Sequence, residues 1–121
     1  MIRFLPVTSD KLPEPFCSDS TLNGYIGYDM NNNSVECGFS VFRLNGYTME
    51  VVGVFTDGDD ELVEGFIRSS LNYGANRGAY IAYYKAEKGT SVAETLGFAK
   101  NKDGVYEGEI PELLAGSCCK H

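Results

Sequence analysis

Cys118 and Cys119 stand close to His121, the single histidine of the chain. Thiolate and imidazole are soft ligands that suit Zn²⁺ or Cu(I). Adjacent cysteines do not readily fill two corners of one tetrahedral site, so the segment reads first as inert or redox-reactive thiols, and no metal is expected there. A second concentration of reactive groups is acidic: Asp57, Asp59, Asp60, Glu61 and Glu64, with Gly58 among them. It lacks the ligand spacing of a Ca²⁺ loop. It does have the composition of a turn that donates carboxylates to cap a helix. The other cysteines, Cys17 and Cys37, complete no disulfide framework. Cys37 falls in a strand-like run and reads as a small buried hydrophobe. Reduced thiols and a cytoplasmic setting are the expectation.

The elements that would position these groups centre on residues 47–84. Tyr47-Thr-Met-Glu-Val-Val-Gly-Val-Phe55 has the β-branched and aromatic content of a strand. Glu61 to Asn76 puts Leu62, Val63, Phe66, Ile67, Ser70, Leu71 and Gly74 on one helical face. Gly78 is a helix stop, and Ala79-Tyr-Ile-Ala-Tyr-Tyr84 follows as a buried strand. Strand, helix and strand at these lengths make a βαβ unit with parallel strands.

Before this unit, residues 2–7 suit a first strand, with Pro6 confining it to an edge or an end. Residues 8–23 read as a proline-broken loop. Strands over 24–30 and 35–43 flank Asn31-Asn-Asn-Ser34, a turn tolerant of positive φ, and Asn45-Gly46 is a tight hairpin turn. After Tyr84, Thr90 or Ser91 would cap a short helix through Leu96. Asp103-Gly104 then marks a second hairpin, and residues 111–121 read as a tail. One domain over residues 1–121 is expected, large enough to bury a core without staples. The net charge of −7 works against binding to nucleic acid or to anionic membranes. No apolar run approaches the roughly 20 residues that span a bilayer.

The order of hairpin, long strand, helix, strand, short helix and final hairpin resembles the Gcn5-related N-acetyltransferase (GNAT) fold. The residues that carry the resemblance are Glu50-Val-Val-Gly-Val54, Asn72-Tyr-Gly-Ala-Asn-Arg-Gly-Ala79 and Glu94-Thr-Leu-Gly-Phe98. They span about residues 24 to 110. The resemblance implies an α/β (α+β) fold: a mixed, mostly antiparallel sheet with one parallel strand pair and flanking helices. It implies acetyl-CoA as cofactor and a small amine or a protein as acceptor, with a homodimer through the sheet as a further partner. Val52, Gly53, Val54, Phe55 and Thr56 would then follow the pantetheine arm of the acyl-CoA. Gly53 suits either the bulge that such a strand carries or simple relief of crowding. Glu50 looks like the strand glutamate that serves as general base. That role needs partial burial and a raised pKa, and the alternative is a solvent-facing residue of an alternating strand.

The sequence also departs from the family pattern. The loop that cradles the CoA diphosphate falls on Gly58-Asp-Asp-Glu-Leu-Val63, where carboxylates would cap the helix and repel phosphate. The usual acid tyrosine aligns with Ala93 and the usual asparagine lies near Ala86. Tyr83 or Tyr84 is left either as a displaced acid or as a packing aromatic. Residues 8–23 are too short for the two helices that wall the acceptor site. A catalytically silent GNAT-fold module for protein interaction or dimerisation is the competing expectation.

Overall fold

In the computed structural model, which describes residues 1–116, the strand-forming runs assemble into one seven-stranded sheet. The strands are β1 (Ile2–Thr8), β2 (Leu22–Asp29), β3 (Val35–Asn45), β4 (Thr48–Phe55), β5 (Ile81–Tyr84), β6 (Ala99–Lys100) and β7 (Tyr106–Glu109). The helices are α1 (Asp60–Ala75), α2 (Thr90–Leu96) and α3 (Ile110–Gly116). The sheet order is β1-β2-β3-β4-β5-β7-β6, and only β4 and β5 run parallel. The expected mixed sheet with one parallel pair is therefore present, extended by β1 at one edge.

The helical stripe read from the sequence is the stripe that α1 buries. Val63, Phe66, Ile67, Ser70, Leu71 and Gly74 are buried, and Leu62 stays half-buried at the rim. Phe42, Met49, Val51, Val54, Ala82 and Tyr84 meet this stripe from the sheet, and α2 and α3 complete the same core. Gly74 allows α1 to lie close, because a Cβ there would fall 2.3 Å from Met49 Sδ. The Ser40 and Ser70 hydroxyls pair at 3.0 Å within this apolar layer, and Ser70 also donates to the Phe66 carbonyl at 2.9 Å. A buried hydroxyl without such partners would be costly.

The opposite face is covered only in part. Two short 3-10 turns, Ser9–Lys11 and Phe16–Ser18, occupy the loop after β1. Leu12, Leu22 and Val41 form a small second core there, with Phe16, Phe39 and Val52 against it. Among the described residues no longer helix walls this face, in keeping with the prolines that break the segment after β1.

Three sequence expectations need correction. Residues 111–116 belong to α3, not to a tail. Ile110, Leu113 and Leu114 have i, i+3, i+4 spacing; the first two are buried, and Arg68 donates to the Leu114 carbonyl at 2.9 Å. Pro111 is tolerated because it lies in the first turn. Neither Thr90 nor Ser91 is the N-cap of α2: Gly89 holds that position with φ 87° and no side-chain cap. β2 begins at Leu22, two residues earlier than read, because β3 pairs with it as far as Leu22 opposite Arg43 and β1 as far as Asn23 opposite Thr8. The segment Cys118-Cys119-Lys120-His121 lies outside the described residues.

Phe66 is fully buried and packs edge-on against Phe4 at 4.9 Å between ring centroids. Phe66→Ala should lower unfolding free energy by about 3–5 kcal/mol in urea titration. A loss below about 1 kcal/mol would mean that α1 does not dock as described.

Candidate functional site

The site arises where the parallel pair comes apart. β4 and β5 are in register only from Thr48 opposite Ile81 to Val51 opposite Tyr84. The Lys85 N–H then donates to the Val51 carbonyl at 2.9 Å. Beyond this bond, the chain after β5 turns away toward α2. On its other side, β4 pairs Val51 with Phe42 but Gly53 with Val41, which leaves Val52 as the extra residue of a bulge. The bulge shifts the alternation of the strand: Met49 and Val51 face the helices, and the next residue in that core is Val54.

The edge of Val52–Phe55 that faces β5 therefore has no ladder partner among the described residues. It borders an open cleft of about 950 Å³. The remainder of its lining includes Gly38, Phe39 and Leu62, the cations Lys85 and Lys88, and the carboxylates Glu36, Asp57 and Glu87. Phe55 is 41% exposed; it stacks on Phe39 at 4.8 Å and lies 5.4 Å from Phe16. Gly38, with φ 149°, allows Thr56 to approach, and the Thr56 hydroxyl donates to the Cys37 carbonyl at 2.7 Å. That hydroxyl also accepts the Gly58 N–H at 3.0 Å, fixing the chain between β4 and α1. Val52, Gly53, Val54, Phe55 and Thr56, the residues singled out in the sequence, all line this cleft.

Glu50 lies one side chain away, in a second pocket of about 480 Å³ with Arg43, Tyr83, Lys85, Asn101 and Asp103. Its carboxylate accepts from Arg43 Nη1 at 2.6 Å and from Lys85 Nζ at 2.9 Å. Arg43 also bonds Asp19 and Thr21, both at 3.0 Å, and so ties the loop after β1 to the sheet. The Lys85 ammonium, helped by Arg43, holds the Glu50 carboxyl below the usual carboxylate range despite partial burial. This shift is opposite in direction to that required of a strong general base. Tyr84 is buried, its hydroxyl donates to the Lys88 carbonyl at 2.6 Å, and burial pushes its phenol far up. Tyr83 instead faces the Glu50 pocket. Ala93 is fully buried in α2, and Ala86 is also buried.

The start of α1 is satisfied from within. Asp59 is its N-cap and accepts the Leu62 N–H at 3.0 Å, with Asp60 and Glu61 in the first turn. Among the described residues no three His, Cys, Asp or Glu side chains gather as metal ligands, and no helix is long and apolar enough to cross a membrane. Sequence reasoning missed Lys85, Lys88 and Arg43. The two lysines were legible as cations in the loop after the second parallel strand, where ligands of parallel sheets commonly bind. Arg43 carried no local signal, because its partners lie 7, 22 and 24 residues away.

Neither protein-family models nor curated protein sequences match the chain. Solved structures do. The spermidine/spermine N-acetyltransferase SpeG from Vibrio cholerae superposes with a TM-score of 0.62 at 13% identity, over 82% of this chain and 70% of that one. A probable GNAT-family acetyltransferase from Chromobacterium violaceum gives 0.57 at 14% identity, over 78% and 62%. This chain has the GNAT fold. A mutant AtaT toxin, bound to the C-terminus of the antitoxin AtaR and to acetyl-CoA, gives 0.55 at 12% identity, over 93% and 96%. At these identities the likeness concerns the GNAT fold alone.

Glu50 supplies a pH test. Because its folded-state pKa is depressed, its contribution is full above the unfolded value near 4.5 and is lost as pH falls through the folded pKa. The melting temperatures of the wild type and Glu50→Gln should differ near neutrality and converge in acid. Lys85→Met should raise the carboxyl titration of Glu50 followed by NMR; an unchanged midpoint would remove Lys85 as the main cause.

Proposed function

We propose that this protein holds an acyl thioester by its pantetheine arm in the cleft between β4 and β5 and transfers the acyl group, acetyl from acetyl-CoA, to an amine. The observation that carries this reading is the edge of Val52–Phe55, which has no ladder partner among the described residues. Pantetheine is an extended chain with two amides, and such a chain can add to a bare strand edge as another strand does. The thioester end would then reach the neighbourhood of Lys85, which separates the cleft from the Glu50 pocket. An amine acceptor would enter from that second pocket, where Asp103, and Glu50 once Lys85 releases it, would offer negative charge.

The chemistry is direct attack of the amine nitrogen on the thioester carbonyl. The protein contributes position first and a proton acceptor second. Glu50 is the proposed acceptor of that proton, and it must give up Lys85 as a partner to act well. The nucleotide end of CoA would gain little. The first N–H groups of α1 are capped by Asp59, and carboxylates of α1 surround the place where a diphosphate would sit. The same acid-capped helix start favours a second reading, a silent GNAT-fold module for protein interaction or dimerisation.

Calorimetric titration with acetyl-CoA, dephospho-CoA and pantetheine tests the proposal. All three should release heat, with affinities within about threefold of one another, roughly 0.7 kcal/mol. Gly53→Val should weaken all three by about tenfold or more, because a Cβ at Gly53 falls 2.3 Å from the Phe55 ring. In an amine screen, Glu50→Gln should reduce turnover about 10²-fold or more. No heat from any of the three at millimolar concentration would leave the interaction module as the reading.

A further inference from the structure

We infer that Lys85 is itself an acyl acceptor, so that the protein acylates its own cleft. The inference rests on the proposed thioester site and concerns a residue of that site. Lys85 is the side chain that lines both the cleft and the Glu50 pocket and also ends in a primary amine. Its backbone is fixed by the N–H bond to the Val51 carbonyl at the point of divergence, and Nζ is held 2.9 Å from Glu50 Oε2. A thioester lying along Val52–Phe55 would meet this amine before any amine arriving from outside. Lys88 also lines the cleft, but among the described residues no carboxylate pairs with its amine.

The step balances without any further reagent. The Lys85 ammonium first loses a proton to water. Nζ then adds to the thioester carbonyl carbon, the C–N bond forms, and the C–S bond breaks with its electron pair on sulfur. Glu50 Oε2 takes the remaining excess proton from nitrogen and returns it to the leaving thiolate. The products are an amide on Lys85 and a free thiol. The neutral amide no longer pairs electrostatically with Glu50, which among the described residues retains Arg43 as its cationic partner. Self-acylation therefore converts Glu50 from a doubly paired carboxylate into one with greater freedom to accept a proton from a second amine.

The test incubates the full chain with acetyl-CoA, and separately with S-acetyl-pantetheine, and follows each lysine by peptide mass spectrometry. Lys85 should be acetylated at least about tenfold faster than the exposed Lys11 and Lys102 in the same sample. Glu50→Gln should slow Lys85 by about tenfold or more and leave Lys11 and Lys102 unchanged. Lys85→Arg keeps the charge and should abolish the preferential adduct while circular dichroism confirms an unchanged fold. Calorimetric binding of the thioesters together with Lys85 labelling no faster than Lys11 would overturn the inference and leave the thioester site standing. Neither heat nor a preferential adduct would remove both.

Discussion

The hydrogen bond from the Lys85 N–H to the Val51 carbonyl is the last main-chain bond between the two parallel strands, and the site depends on it. Above it, β4 and β5 share a ladder and the sheet is continuous. Below it, the extra residue Val52 redirects β4 and the chain after Tyr84 leaves for α2. A parallel pair cannot be joined by a tight turn, so α1 must bridge the two strands, and its packing fixes where they separate. The buried stripe from Val63 to Gly74 and the cleft are consequences of the same crossover.

The charged residues at the opening divide into two groups with different physical roles. At the start of α1, the carboxylates neutralise backbone donors and the positive end of the helix dipole. Around Glu50, Arg43 and Lys85 compensate a carboxylate that is partly withdrawn from water. Such half-exposed ion pairs contribute about 0–1 kcal/mol each to stability, so their importance lies in geometry. Arg43 joins the loop after β1 to β3 and β4, and Lys85 divides one opening into two compartments.

Much of this was legible in the amino-acid order. The α1 stripe, the Asn45-Gly46 and Asp103-Gly104 turns and the β-branched and aromatic content of β4 are local signals. Local chemistry placed them correctly. Gly53 drew attention to the bulge, although the unopposed residue is its neighbour Val52. Long-range pairings were not legible. The state of Glu50 depends on Lys85, 35 residues later, and nothing near Glu50 announces that partner. The helix over residues 110–116 was missed because residues 111–121 read as a tail. Its Ile110-Leu113-Leu114 stripe becomes meaningful only once the core has a surface to receive it.

The order of the last three strands in the sheet has a consequence for biosynthesis. β7 inserts between β5 and β6, although β6 precedes it in the chain. While the chain emerges, β5 presents an open edge, and β6, only two residues long, has no sheet to join. Tyr106–Glu109 closes both at once, pairing with β5 on one side and β6 on the other. The edge of β5, a template for aggregation while open, thus stays uncovered until residues 106–109 have been translated.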